Sequence, residues 1–272
     1  MANHHLLPKE ISGEEFTGLL NRYPALLDSI STSKTPKAGQ KTLTELDEFR
    51  FQEAPEQFGS KSPKRGMTHD DVKTLVDWKL RHGKFRPTLM KLVSSNDEET
   101  VAETIKEAMD AYWEDQDASA ALAAISKLKG IGPATASLLL SVHDPDRVIF
   151  FSDEAFWWLC CEGKKEPIKY NPKEYQGLNR AAQALVKRLE MSATDVEKVA
   201  YVIMRDDALP PAAAEKPMDA KTLNAKPLES TKTPVAKPGN ESCKQSNTKR
   251  KREARPDSPE RPLRRSKRGK DA

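Results

Sequence analysis

The stretch Leu128-Lys129-Gly130-Ile131-Gly132-Pro133-Ala134-Thr135-Ala136-Ser137 decides how this chain is read. Apolar residues at helical spacing run into it through Leu122, Ala123 and Ile125, and out of it through Leu138, Leu139 and Leu140. Two glycines one residue apart let the backbone turn sharply and expose its N–H groups. Pro133 suits the first position of a helix, because it has no N–H to leave unpaired. The pattern predicts a helix, a tight turn and a second helix. Its backbone donors gather at the positive end of that second helix, which suits a phosphate, and Lys127 and Lys129 add charge beside it. The same residues also fit a plain helix–helix connection with glycine as the C-terminal cap.

Working outward, the flanking chain predicts more helices. Residues 14–30 carry Phe16, Leu19, Leu20, Tyr23, Leu26 and Leu27 at helical spacings, limited by Pro24. Residues 31–66 are rich in Ser, Thr, Lys, Pro and Gly and read as a flexible linker from which Phe49 and Phe51 could pack. Thr68 with Asp71 forms a capping-box pattern ahead of Val72, Leu75, Val76 and Leu80. Ser95 with Glu98 forms another ahead of Val101, Ile105 and Tyr112, and Thr194 with Glu197 a third. Ser152 or Asp153 caps a helix through Phe156 and Trp157, and a further helix follows Pro172. No alternating strand pattern of useful length occurs, so the body reads as all-α. The expected organisation is an N-terminal short helix and linker (1–66), a helical domain (67–208) with the helix–turn–helix at about 119–143, and a disordered basic tail (209–272).

The charge is divided unevenly. Residues 211–272 hold 17 Lys/Arg and 8 Asp/Glu, a net of +9 against +4 for the whole chain, which leaves −5 on residues 1–210. The tail carries Lys249-Arg250-Lys251-Arg252 and Arg264-Arg265-Ser266-Lys267-Arg268, a pattern that fits nuclear import and nucleic-acid contact. Ser62, Thr233 and Ser258 each precede a proline and are candidate phosphorylation sites. Cys160, Cys161 and Cys243 contain no C-x-x-C pair, so neither a disulfide framework nor a zinc or iron–sulfur site is expected. His69 and His143 lack metal-ligand spacing, and no cofactor is expected. No apolar run reaches the roughly 20 residues of a membrane span, and the N-terminus lacks a signal-peptide pattern. The expectation is a soluble nuclear monomer.

The segment 128–136 resembles the helix–hairpin–helix motif of the DNA glycosylase superfamily, with the likeness covering about 35 residues, 125–160. In that family an aspartate follows the hairpin by about twenty residues at a helix start; Asp153, in Ile149-Phe150-Phe151-Ser152-Asp153-Glu154, stands at the matching place. Bifunctional members carry a lysine two residues after the second glycine, where this chain has Ala134, so the resemblance implies no lyase chemistry. Trp78-Lys79-Leu80 and Gly83-Lys84-Phe85-Arg86-Pro87, joined to this hairpin, also resemble a group of fungal and other eukaryotic glycosylase-like proteins.

Two functions are therefore carried forward. In the first, the hairpin (Lys127, Lys129, Gly130, Ile131, Gly132, Ala134) and Lys79, Lys84 and Arg86 hold DNA, and Asp153 serves a monofunctional glycosylase of base-excision repair. Trp157, Trp158, Phe150 and Phe151 are candidate pocket walls, Trp78 or Phe85 could stack on a base, and Glu154 is a second candidate carboxylate. In the other, a non-catalytic chromatin- or protein-interaction module keeps the fold without the chemistry. Asp153 as a simple helix cap belongs to that second reading.

Overall fold

The computed structural model describes residues 6–33, 36 and 39–205. All of these belong to one compact unit, Met1–Ala214, and the basic clusters at 249–252 and 264–268, Ser258, Thr233 and Cys243 lie outside the described residues. Among the described residues every regular element is helical, as the absence of strand patterning predicts. In chain order they are α1 (Gly13–Leu20), α2 (Tyr23–Ser33), α3 (Leu43–Glu48), a π-helical turn (Phe49–Glu53), α4 (Ala54–Phe58), α5 (His69–His82) and α6 (Leu89–Val93). Then come α7 (Glu98–Asp115), α8 (Ala118–Ile125), α9 (Pro133–His143), α10 (Asp153–Cys161), α11 (Pro172–Leu189) and α12 (Ala193–Met204). No helix among them is long and apolar enough to cross a membrane.

α9 is the central element, with all but Pro133 of its residues buried. α8 packs on one side of it, α4 and α5 on another, while α10, α11 and α12 form an adjoining layer closed by α1. Leu138, Leu139 and Leu140 are fully buried, as their run of apolar neighbours predicts.

The expected linker at 31–66 is instead largely helical, and its inward face is part of the core. Leu43, Leu46, Ala54 and Phe58 are all nearly or fully buried. Their stripe is hard to see in the sequence because Asp47 and Arg50 share it. Both are buried: Arg50 donates to the Ser141 hydroxyl at 2.6 Å and pairs with Glu197 at 3.3 Å. Asp47 accepts from the Trp78 indole at 2.8 Å and the Tyr23 hydroxyl at 2.7 Å. The π turn at Phe49–Glu53 widens the helix by one residue, which keeps both Phe49 and Arg50 on the inner side.

The capping signals hold in part. Thr68 and Asp71 make the expected box at α5. At α7 the cap is Asp97, which accepts from the Thr100 N–H, while Ser95 turns back to the Leu92 carbonyl. At α12 the box is Ser192 with Asp195. Thr194 bonds the Pro145 carbonyl at 3.0 Å, and Glu197 faces inward to Arg50, so the expected partners are turned away from the helix start. Pro24 falls in the first turn of α2, and the single N-terminal helix expected at 14–30 is two helices.

Candidate functional site

The turn between α8 and α9 uses its two glycines differently. Gly130 sits at φ +77°, and a Cβ there would lie 2.9 Å from the Leu92 Cβ and 3.2 Å from the Val93 backbone nitrogen. Both backbone conformation and space require glycine at that position. Gly132 has φ −92° and ψ 179°, which any residue adopts, and a Cβ there would meet nothing within 4 Å. It is exposed and is the N-cap of α9, so its bare backbone faces open space at a helix N-terminus. The side chain of Asn96 brackets the turn from outside, accepting from the Lys129 N–H at 2.8 Å and donating to its carbonyl at 2.9 Å.

The predicted phosphate contacts divide accordingly. Lys127 and Lys129 have exposed side chains. Ile131 is buried, 3% exposed, and its N–H donates to the Leu128 carbonyl at 3.1 Å. It anchors the turn in the core, with its N–H used inside the turn. Gly130 and Gly132 are the turn positions whose N–H groups are not used inside it among the described residues.

Beside the turn opens a cavity of about 260 Å³. That is the space of roughly nine water molecules at about 30 Å³ each, room for a heterocycle and part of a sugar. The last turn of α5 sends in Lys79, the following loop lends Lys84 and Arg86, and the first turn of α9 lends Ala134 and Thr135. Phe150, Phe151 and Asp153 close it on the side of α10, and Tyr170 reaches over from the loop before α11. Residues far apart in sequence meet here because α5, α9 and α10 all point one end at the same space.

Asp153 is in the first turn of α10 but does not cap it. Ser152 is the cap, accepting from the Ala155 N–H at 3.1 Å. The Asp153 carboxylate instead accepts a hydrogen bond from the Tyr170 hydroxyl. Among the described residues it has no ion pair. Tyr170 was not singled out by the sequence reading. Its backbone sits at φ +53°, and unlike Gln116, Glu162 and Glu190, which share that sign, it is not a helix C-cap. A non-glycine residue held there costs of order 1–3 kcal/mol and persists where its surroundings impose it. Here the Arg86 guanidinium lies over its ring at 5.4 Å and Asp153 takes its hydroxyl. Burial and that bond push the Tyr170 hydroxyl well above its ordinary pKa.

Lys79 is partly buried, with its ammonium 2.8 Å from the Thr135 hydroxyl oxygen. Burial pushes its pKa down to about 8, Arg86 adds to the drop, and Asp153 opposes it. Lys84 and Arg86 are exposed at the rim. Although residues 1–210 carry net negative charge, this cavity is lined by three cations, Lys79, Lys84 and Arg86, by His82 and by Asp153 and Glu154. Glu154 is buried and held by Arg205 at 2.7 Å, which removes it as a second candidate carboxylate.

Other expected contacts are structural. Trp78 is fully buried, so of the two stacking candidates only Phe85, 69% exposed in the rim loop, is free to meet a base. His82 is sandwiched between Trp78 and Tyr201, with ring centroids at 4.3 and 3.8 Å. Arg81 turns to Asp77 and the Lys41 carbonyl. Trp158 is buried against the Leu6 carbonyl, and the Trp157 indole donates to the Glu166 carbonyl, so Phe150 and Phe151 are the predicted walls that line the cavity. His69 and His143 each bond a backbone carbonyl, and among the described residues no group of three His, Cys, Asp or Glu could hold a metal ion. Cys160 and Cys161 are free thiols.

Compared with protein-family models, with curated proteins and with solved structures, the chain gives no significant match in any of the three.

Proposed function

We propose that this protein binds duplex DNA through a helix–hairpin–helix made of α8, the Gly130-Ile131-Gly132 turn and α9, on a DNA glycosylase-like scaffold. We propose further that the adjoining cavity releases a base by monofunctional glycosylase chemistry. The observation that carries the reading is Asp153. Its carboxylate is relieved of capping by Ser152, has no ion pair among the described residues, and opens onto the same cavity as the first turn of α9.

The α9 N-terminus and the exposed Gly132 would take one phosphate, and Lys84 and Arg86 would grip the strand on the other side of the cavity mouth. A target nucleotide must leave the stack to enter. Phe85 stands at the rim to fill the gap, and Phe150 and Phe151 would face the flipped base. The base departs with the electron pair of its bond to C1′, and positive charge develops on the sugar. Asp153 stabilises that charge, water adds to C1′, and the water's proton passes to the carboxylate and on to solvent. Tyr170 holds the carboxylate in place through its hydroxyl. The two basic clusters of the tail would serve nuclear import and add counterion-release affinity.

One observation favours the rival, a non-catalytic chromatin- or protein-interaction module: the net charge of −5 on residues 1–210 offers no broad basic face to a duplex. The experiment that separates them uses the full chain, because residues 11–58 supply core side chains that a fragment from residue 60 would lack. Damaged and mismatched duplexes are incubated with the wild type and Asp153→Asn, and free base is measured. Loss of about 10²- to 10⁴-fold in the variant is expected for the acid–base role. No release by either, or equal release, removes the chemistry, and no duplex binding at low salt removes the DNA reading.

A further inference from the structure

The segment Gly59-Ser60-Lys61-Ser62-Pro63-Lys64-Arg65-Gly66 joins α4 to α5 and lends no residue to the cavity beside the turn. Every residue of it is exposed, and none is helical. Its inner side does not pack down on the body: Lys61, Pro63 and Arg65 line a second cavity, of about 390 Å³, together with Ile105, Met109 and Trp113 of α7. Near Ser62 the ties to the body are light. The Lys64 N–H donates to the Gln57 carbonyl at 2.9 Å, and the Lys64 ammonium meets Glu56 at 2.6 Å, an exposed pair of the kind worth little in water. Arg65 makes the firmer tie, with two bonds to the Asp71 carboxylate at 2.5 and 2.8 Å.

The hydroxyls here are not alike. Ser60 is followed by Lys61, and its oxygen accepts from the Ser62 N–H at 3.2 Å. Thr68, the next hydroxyl along the chain, is used at the start of α5, where it donates to Asp71 at 2.7 Å. The Ser62 hydroxyl has no hydrogen bond among the described residues, and Pro63 follows it. A proline biases the residue before it toward extended backbone and brings no N–H that a docking cleft would have to satisfy. An exposed, unbonded serine followed by proline is the form that a proline-directed kinase takes into its cleft. The eight residues hold three cations and no carboxylate, so the charge of about −1.5 to −2 on a phosphate would meet opposite charge.

We propose that Ser62 is a phosphorylation site, modified by a proline-directed protein kinase with the magnesium complex of ATP as donor. The Ser62 Oγ lone pair attacks the γ-phosphorus, and the bond from that phosphorus to the bridging oxygen breaks. ADP leaves with the electron pair, and the hydroxyl proton passes to a carboxylate of the kinase. The product phosphate gives Lys64 a stronger partner than its exposed pair with Glu56. The inference does not depend on the DNA reading.

The test incubates the full chain with magnesium, ATP and a purified cyclin-dependent kinase, a proline-directed enzyme, and maps the phosphate by peptide mass spectrometry. A synthetic peptide of residues 57–68 runs alongside as the unconstrained substrate. Ser62 of the folded chain should be modified at a rate within about ten-fold of the peptide's, because the segment opens at little cost. Ser62→Ala should remove that phosphopeptide. Pro63→Ala should slow modification of Ser62 by about ten-fold or more, while any uptake at Thr233 or Ser258 of the same molecules keeps its wild-type rate. Both substituted positions are exposed, and circular dichroism checks that the helices are kept. Absence of phosphate at Ser62 overturns the inference, whether or not other residues take it up. So does a folded chain slower than the peptide by more than that margin, since the fold then withholds the serine. A Pro63→Ala chain modified at Ser62 as fast as the wild type overturns the proline-directed assignment.

Discussion

The two glycines of the turn should respond to substitution in opposite ways. Gly130→Ala forces an L-residue to φ +77°, which costs about 1–2 kcal/mol. It also sets a methyl 2.9 Å from the Leu92 Cβ, an atom fixed to the backbone of α6 that cannot swing aside. Overpacking of that kind costs about 1–3 kcal/mol, and reduced freedom of the unfolded chain returns about 0.4–1 kcal/mol. The expected net loss is about 2–3 kcal/mol, or a fall of about 4–12 °C in Tm for a domain of this size. Gly132→Asp meets none of these obstacles. Its φ and ψ are ordinary, nothing stands within 4 Å of the new Cβ, and aspartate is a favoured N-cap for α9. A gain of about 0.5–1 kcal/mol is expected from the cap and the stiffer unfolded chain. The same carboxylate would occupy the phosphate position. Losing a hydrogen bond to a charged group costs about 1.5–3 kcal/mol, so duplex affinity should fall about 10- to 150-fold. Urea denaturation followed by fluorescence, and duplex titration at two salt concentrations, measure both quantities. A Gly132→Asp protein that binds DNA as tightly as the wild type would refute the turn as the contact. One as destabilised as Gly130→Ala would refute the geometry assigned to Gly132.

Three further outcomes are expected. His143 is buried against Phe58 with its pKa pushed down to about 4, so it stays neutral in the native protein while the unfolded chain takes a proton below about 6.5. Its contribution is complete above that value and is lost as pH falls toward 4, by roughly 3 kcal/mol, and His143→Gln should flatten this part of the stability–pH curve. Arg50→Met strands Glu197 in the core and should destabilise by about 3–5 kcal/mol, whereas Arg50→Met with Glu197→Leu should recover most of it; additive losses in urea titrations would deny their coupling. Phe85→Ala should leave stability within about 0.5 kcal/mol but weaken duplex binding by about 1–3 kcal/mol; unchanged affinity would remove its stacking role.

The sequence by itself determined the helical class and the helix–turn–helix around Gly130 and Gly132. Those features are local: apolar spacing, a capping residue and the conformational demands of glycine and proline act within a few residues of one another. It determined the break in charge at the tail for the same reason, since charge is counted without a fold. Only the tertiary structure decided the rest. Residues 43–58 read as part of a linker rich in Ser, Thr, Lys, Pro and Gly; Asp47 and Arg50 interrupt their apolar stripe, and those side chains become tolerable inside only through Trp78, Tyr23, Ser141 and Glu197, from 24 to 147 residues away. Whether Asp153 was a cap or a free carboxylate could not be read from Ser152-Asp153, because both residue types cap helices; the Ser152 side chain turning to the Ala155 N–H decided it. Tyr170 carried no local signal at all, and the sequence marked Lys79 only as one of several basic residues near a helix end. Lys79 differs from any other lysine in a basic helix end only because α9 and Arg86 enclose it, and Tyr170 differs from any loop tyrosine only because its strained backbone aims it at Asp153. Burial and neighbouring charge set their chemistry, and both come from chain segments that the linear sequence does not bring together.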